Sequence, residues 1–128
     1  MKLLDGKLYS NKIKDEVKNI ADAFKQTPIL SIITIGNNEL NEKYVDIKRK
    51  ALEEVGISLL HFRFKEGTSE SKIIKKIKEL NKDRSVNGIV IELPICDGYD
   101  EDKIINTISE IKDVDGLTNA NTIKLING

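Results

Sequence analysis

Tyr44 and Lys48 lie four residues apart in the stretch EKYVDIKRKALEEVG, residues 42–56. Four residues is about one helical turn, so on a helix both side chains project from one face. A phenol ring there can stack on a planar ligand, and a partly desolvated lysine beneath it can give and take a proton. If that face is buried, Lys48 is an expensive occupant; if it lines a cleft, Lys48 is a candidate proton carrier. A third reading is a surface lysine that snorkels over its helix. Other reactive groups are scarce. One histidine, His61, and one cysteine, Cys96, make a poor metal-ligand set and permit no disulfide within the chain. His61 reads as an ordinary sheet residue and Cys96 as an unreactive loop thiol. The Asp113-x-Asp115-Gly116 run lacks the further acidic positions of a calcium loop, so no metal site is expected.

The elements that must position these groups follow from periodicity. SNKIKDEVKNIADAFKQ (10–26) places Ile13, Val17, Ile20 and Phe24 at helical spacing, with Ser10 as N-cap and Thr27-Pro28 as the stop. ILSIITI (29–35) is a continuous apolar, β-branched run and reads as a buried strand. The turn Gly36-Asn37-Asn38 leads to a second helix over 39–55, which Gly56 closes. SLLHFRF (58–64) alternates enough to be a less buried strand. Thr68 is the expected cap of a third helix with Ile73, Ile74, Ile77 and Leu80 inward; Lys72, Lys75, Lys76 and Lys78 form its solvated face. NGIVIELP (87–94) is a third strand stopped by Pro94. Asp100 opens a fourth helix carrying Ile104, Ile105 and Ile108, and the tail has turn signals before a short apolar end.

Strands alternating with helices predict an α/β fold, a three-layer αβα arrangement with a mainly parallel sheet, in one domain over 1–128. In such sheets ligands bind beyond the carboxyl ends of the strands. That puts GNNELNEKY (36–44), RFKEGT (63–68) and ELPICDG (92–98) at one rim, with Tyr44 and Lys48 just past it. The charge balance, 21 basic against 21 acidic residues, gives no general drive toward nucleic acid or anionic membrane. No apolar run approaches the roughly 20 residues needed to span a bilayer, and MKLLDGKLYSNK lacks a signal-peptide core. A soluble, cytoplasmic domain is expected.

Three motifs then carry a resemblance. GNNELNEKYVDIKRKALEEVGI resembles the Tyr-Val-x-x-x-Lys helix of the bifunctional methylenetetrahydrofolate dehydrogenase/methenyltetrahydrofolate cyclohydrolase family. LNKDRSVNGIVIELPI resembles that family's strand ending in Gln-Leu-Pro, and IKDVDGLTNANTIKL its Lys-Asp-Val-Asp-Gly segment. Singly each is weak, but their order and separations make a specific match to the family's N-terminal, folate-binding domain. The resemblance implies that Tyr44 stacks on a reduced folate and that Lys48 assists proton movements as water adds to the methenyl carbon. It implies that Asp115 binds the pterin, with a carboxylate suited to accept two hydrogen bonds from amino and ring N–H groups. Leu93 and Pro94 would shape the pocket wall; Asp113 reads as structural. The family's second, Rossmann-type domain binds NADP and supports a homodimer. No two of the eight glycines here fall as Gly-x-Gly, so NADP is not expected to bind this chain alone, which would more readily be a monomer.

The departures bear on mechanism. Glu92 stands where the family has glutamine beside the lysine. Two unit charges about 4 Å apart attract by roughly 4 kcal/mol at an effective dielectric of about 20, so an ionised Glu92 would keep Lys48 paired and weaken it as a base. A protonated Glu92, or Glu92 itself as base, would escape that conclusion. Ile95-Cys96 replaces Leu-Pro, and Thr122-Ile123-Lys124-Leu125 replaces Val-Gly-Arg-Leu, with Ile123 at the glycine. The expected function is therefore reduced-folate binding and the catalytic residues for methylenetetrahydrofolate oxidation and methenyltetrahydrofolate hydrolysis. The alternative is a divergent, non-catalytic domain that binds a folate or a protein partner.

Overall fold

The computed structural model describes residues 5–128. The part of the N-terminal reading that involves residues 1–4 lies outside the described residues. The chain forms α1 (Gly6–Asp22), β1 (Ile29–Ile35), α2 (Glu39–Glu54), β2 (Ser58–Phe64), α3 (Glu70–Lys82), β3 (Gly88–Ile91), α4 (Glu101–Ile105) and α5 (Asn119–Asn127). The three strands are parallel in the order β2-β1-β3, so the expected α/β architecture is what the chain adopts. β1, the most apolar run, takes the centre; β2, the alternating one, takes an edge.

Helices cover both faces unequally. On one face Ile33, Ile35, Ile89 and Ile91 meet Ile73, Ile77 and Leu80 of α3 and Ile104 and Ile105 of α4. Ile108 joins this core although it lies beyond the end of α4. On the other face the buried cluster among the described residues is Ile32, Val45 of α2 and Val90. Ile74, expected inward, is half-buried at the edge of the larger core.

Several boundaries differ from expectation for local reasons. Ser10 is not a cap: α1 starts one turn earlier, where the Asp5 carboxylate accepts from the N–H groups of Lys7 and Leu8 at 3.0 and 3.1 Å. α1 also stops at Asp22, before Phe24. Its periodic residues Ile13, Ile20 and Phe24 are 45 %, 61 % and 60 % exposed, and only Ala21 is buried, so the apolar stripe of α1 meets solvent. Ser69, not Thr68, is the N-cap of α3; the Thr68 hydroxyl donates back to the Lys65 carbonyl instead. The third strand is shorter than 87–94, although Glu92 N–H still donates to Ile33 at 2.9 Å. The tail forms α5, capped by Thr118, whose hydroxyl accepts from Asn121. Ile123 lies inside that helix, where a side chain needs no special backbone.

No helix among the described residues is long and apolar enough to cross a membrane. Nor do they contain a group of three or more His, Cys, Asp or Glu side chains that could hold a metal.

Candidate active site

The strand order creates the place where a site can form. From β1 the chain runs through α2 to β2, then through α3 to β3 on the opposite side of β1. α2 covers one face of the sheet while α4, which follows β3, packs in the core of the other. The carboxyl ends of β1 and β3 are thus neighbours whose following segments diverge, which is the switch point where open α/β sheets form a crevice. The first wall is the turn after β1. Gly36 has φ +92°, and a Cβ there would lie 2.8 Å from both Cβ and Sγ of Cys96. That glycine is required twice, by its backbone and by the loop after β3 packed against it.

α2 leaves this turn with Asn38 as its cap; the amide oxygen accepts from Leu40 and Asn41 N–H. Asn41, Val45 and Lys48 follow at helical spacing on the sheet-facing side, and Gly56 with φ +77° closes the helix. Lysine side chains on a helix lean toward its N-terminus, here toward the rim. Lys48 Nζ meets Glu92 Oε2 at 2.6 Å, with side-chain exposures of 41 % and 9 %. Tyr44, one turn earlier, is half-exposed. One tie makes Lys48 neither a buried orphan nor a free surface lysine. It is a half-exposed ammonium hooked onto the end of β3.

A second tie holds the same turn. Asn41 is 2 % exposed, and its Nδ2 donates to the Pro94 carbonyl at 3.0 Å. Its Oδ1 is buried without a protein partner. The Leu93-Pro94 peptide bond is cis. Pro94 is exposed, whereas the Leu93 side chain packs toward the α3/α4 core and not into the crevice. Asn41 was missed by motif reading. The available signal was a buried-face polar residue three positions before Tyr44.

Asp115 is positioned by another part of the chain. Asp113 bridges Ile89 in parallel, and Ile89 N–H donates to the Lys112 carbonyl at 2.8 Å, so residues 112–114 extend the sheet beside β3. Val114 fills the space above Gly88. Asp115 follows in the turn after this bridge and is exposed. The Asp113 carboxylate is structural: it accepts from the N–H groups of Gly116, Leu117 and Thr118, from the Thr118 hydroxyl and from Asn121 Nδ2. Burial pushes its carboxyl up, but the Thr118 hydroxyl and N–H, with Asn121 and Leu117, outweigh this and hold it below the ordinary aspartate value. The structure therefore joins Lys48 to Glu92 and Asn41 to Pro94, and leaves Tyr44 and Asp115 exposed.

His61 lies on the α2 face of the sheet, with its side chain 3 % exposed and Nε2 3.0 Å from Thr34 Oγ1. Burial lowers its pKa below 6.5, and Arg63 and Arg49 lower it further, against smaller upward pulls from Glu42 and Asp46. Because the folded value lies below the unfolded one, its contribution to stability is present above pH 6.5 and lost as pH falls through the folded value. Urea midpoints measured from pH 8 to pH 5 should fall for the native chain and fall less for His61→Gln. Identical slopes would remove His61 as the source.

Comparison with known proteins supplies the family. Residues 4–115 match the model of the tetrahydrofolate dehydrogenase/cyclohydrolase catalytic domain. The bifunctional protein FolD of Agathobacter rectalis is 45 % identical over 119 residues, which cover 91 % of this chain and 43 % of that protein. The cytoplasmic C-1-tetrahydrofolate synthase of Homo sapiens is 37 % identical over 98 % of this chain but only 14 % of its own length. Among solved structures, the bifunctional FolD methylenetetrahydrofolate dehydrogenase/cyclohydrolase of Campylobacter jejuni superposes with a TM-score of 0.91 at 38 % identity. That alignment covers 98 % of this chain and 45 % of that one, so this chain spans less than half the length of the FolD proteins it matches. The three-stranded parallel sheet, the crevice at its switch point and these matches place the chain in the tetrahydrofolate dehydrogenase/cyclohydrolase catalytic-domain family.

Proposed function

We propose that the cleft binds a reduced folate and that Lys48 is its proton carrier, supporting slow hydrolysis of the methenyl form by this chain alone. The observation that carries this reading is the 2.6 Å contact between Lys48 and Glu92, which fixes the lysine at the switch-point crevice one turn from Tyr44. Tyr44 offers a half-exposed ring for stacking, and Asp115 offers an exposed carboxylate for the amino and ring N–H groups of a pterin. When water adds to the methenyl carbon a proton must leave it, and when the ring opens a nitrogen must receive one. Lys48 is within reach of both tasks only when it releases Glu92.

Oxidation of a methylene form needs a nicotinamide cofactor. The first strand-to-helix turn does not fit one, because Cys96 fills the space that a dinucleotide cradle keeps open at Gly36. Dehydrogenase activity is therefore proposed only for an assembly that includes a cofactor-binding unit. The cytoplasm is the proposed compartment, and a monomer is the proposed state of this chain by itself.

Calorimetric titration with 5-formyltetrahydrofolate tests the folate reading. Saturable binding is expected, weakened about tenfold or more in Tyr44→Ala and in Asp115→Ala. Equal affinity in all three proteins would reject this cleft as the binding site. The second reading, a binding domain without turnover, is favoured by Glu92 itself, which occupies the lysine that turnover requires.

A further inference from the structure

We propose that the groove between α3 and α4 is a docking surface for an acidic, extended segment of a protein partner. The groove has a volume of about 620 Å³. α3 and α4 pack on the face of the sheet opposite α2, the helix that carries Tyr44 and Lys48. The α3 wall is a single stripe. Ser71, Ile74, Lys75, Lys78 and Lys82 recur there at helical spacing, and α4 contributes Lys103.

A solvated helix face accounts for exposed lysines but not for how these charges are distributed. The two carboxylates of the groove are already engaged. Glu70 accepts from Lys103 Nζ at 2.7 Å through Oε1 and from the Asp100 N–H at 3.0 Å through Oε2. Glu79 accepts from Lys76 at 2.6 Å, and Lys76 does not line the groove; its Nζ lies 5.3 Å from the Phe62 ring centroid. Lys75, Lys78 and Lys82 are exposed and, among the described residues, have no carboxylate partner. Three uncompensated cations therefore gather in one groove of a chain whose formal charge is zero. Ile74, half-buried beside them, supplies an apolar contact. Along the helix the three lysines span about 10 Å, the length of about three residues of extended chain. Acidic side chains flanking an apolar one in such a segment match both features. Nucleic acid matches them less well. Its charge continues along a longer track, the chain has no net positive field, and among the described residues no aromatic side chain lines the groove to stack a base.

Fluorescence anisotropy with a blocked, labelled pentapeptide Glu-Glu-Leu-Glu-Glu tests the proposal, with Gln-Gln-Leu-Gln-Gln as the neutral control. At low ionic strength the acidic peptide should bind saturably, about tenfold or more tighter than the neutral one, and weaken as salt is raised. The double variant Lys75→Gln/Lys78→Gln should lose about tenfold in affinity, the effect of two exposed ion pairs removed together. Lys72→Gln, at an exposed lysine of the same helix outside the groove, should stay within about twofold of the native chain. An equal loss in Lys72→Gln, or none in the double variant, would overturn the groove in favour of a diffuse field. Labelled oligothymidylate bound as tightly as the acidic peptide, and released by the same double variant, would overturn a protein partner in favour of nucleic acid. No saturable binding of the acidic peptide would overturn the proposal outright. Every one of these outcomes leaves the folate reading untouched, because no residue of that cleft enters the test.

Discussion

Glu92→Gln should hydrolyse methenyltetrahydrofolate about ten to a hundred times faster than the native chain, the range over which a freed general acid–base group acts. In the native site the Lys48 ammonium rests 2.6 Å from a carboxylate that is almost fully buried. A proton carrier held there has no lone pair to offer until the pair opens. The amide of glutamine can still accept a hydrogen bond from Lys48, so position is retained while the charge partner is removed. Loss of the methenyl absorbance under single-turnover conditions reads the rate. The double variant Glu92→Gln/Lys48→Met should return it to the uncatalysed value, which separates Lys48 from any effect of repacking. A rate unmoved by Glu92→Gln would count against Lys48 as proton carrier and for a binding domain without turnover.

The largest stability loss at a single polar side chain is expected at Asp113. Asp113→Ala removes a carboxylate that accepts from three backbone N–H groups, the Thr118 hydroxyl and Asn121, and strands those donors at the turn between β3's neighbour and α5. A buried, charge-assisted network of this kind should be worth about 3 kcal/mol, read as a lower urea midpoint. Asp113→Asn keeps one acceptor oxygen and should lose about half as much. The pH dependence has a definite sign. The folded carboxyl titrates below the ordinary value of 3.8, so its contribution is present above that value and lost as pH falls through the folded one. Both variants should therefore destabilise least in acid. A native and a variant chain separated by the same margin at pH 3 and pH 7 would contradict the network's charge. The loop carrying Asp115 depends on this anchor, so ligand binding should weaken alongside stability.

Much of this arrangement was legible in the residues. The apolar run at 29–35 and the alternating run at 58–64 differ in the way that a central and an edge strand must, and both emerged with the expected bounds. The Tyr44–Lys48 spacing placed both groups at the rim, and the substitution at Glu92 foretold the ion pair. Other features depend on partners distant in sequence. Ser10 is a good cap by type, but Asp5 is another and lies earlier, and its carboxylate already accepts from the N–H groups of Lys7 and Leu8. The stripe Ile13, Ile20 and Phe24 has helical spacing, yet spacing specifies a face without specifying what covers it. α5 was unreadable because Asn and Thr are weak helix formers; its start is fixed by Thr118, itself held by Asp113 across a bridge to Ile89. Asn41 carries a role through the Pro94 carbonyl, 53 residues away, which no local pattern encodes.

The inequality of the two cores has a consequence for how such a domain can change over time. Among the described residues, eleven buried apolar side chains form the core on the α3 and α4 face, whereas three form the cluster where α2 meets the sheet. A foundation on one side and a lightly attached helix on the other let the two halves of the sheet drift at different rates. Substitutions along α2 disturb few packed neighbours, so new residues at the rim can be sampled without endangering the scaffold. Tyr44 and Lys48, both on α2 and both partly exposed, sit where such change disturbs the least.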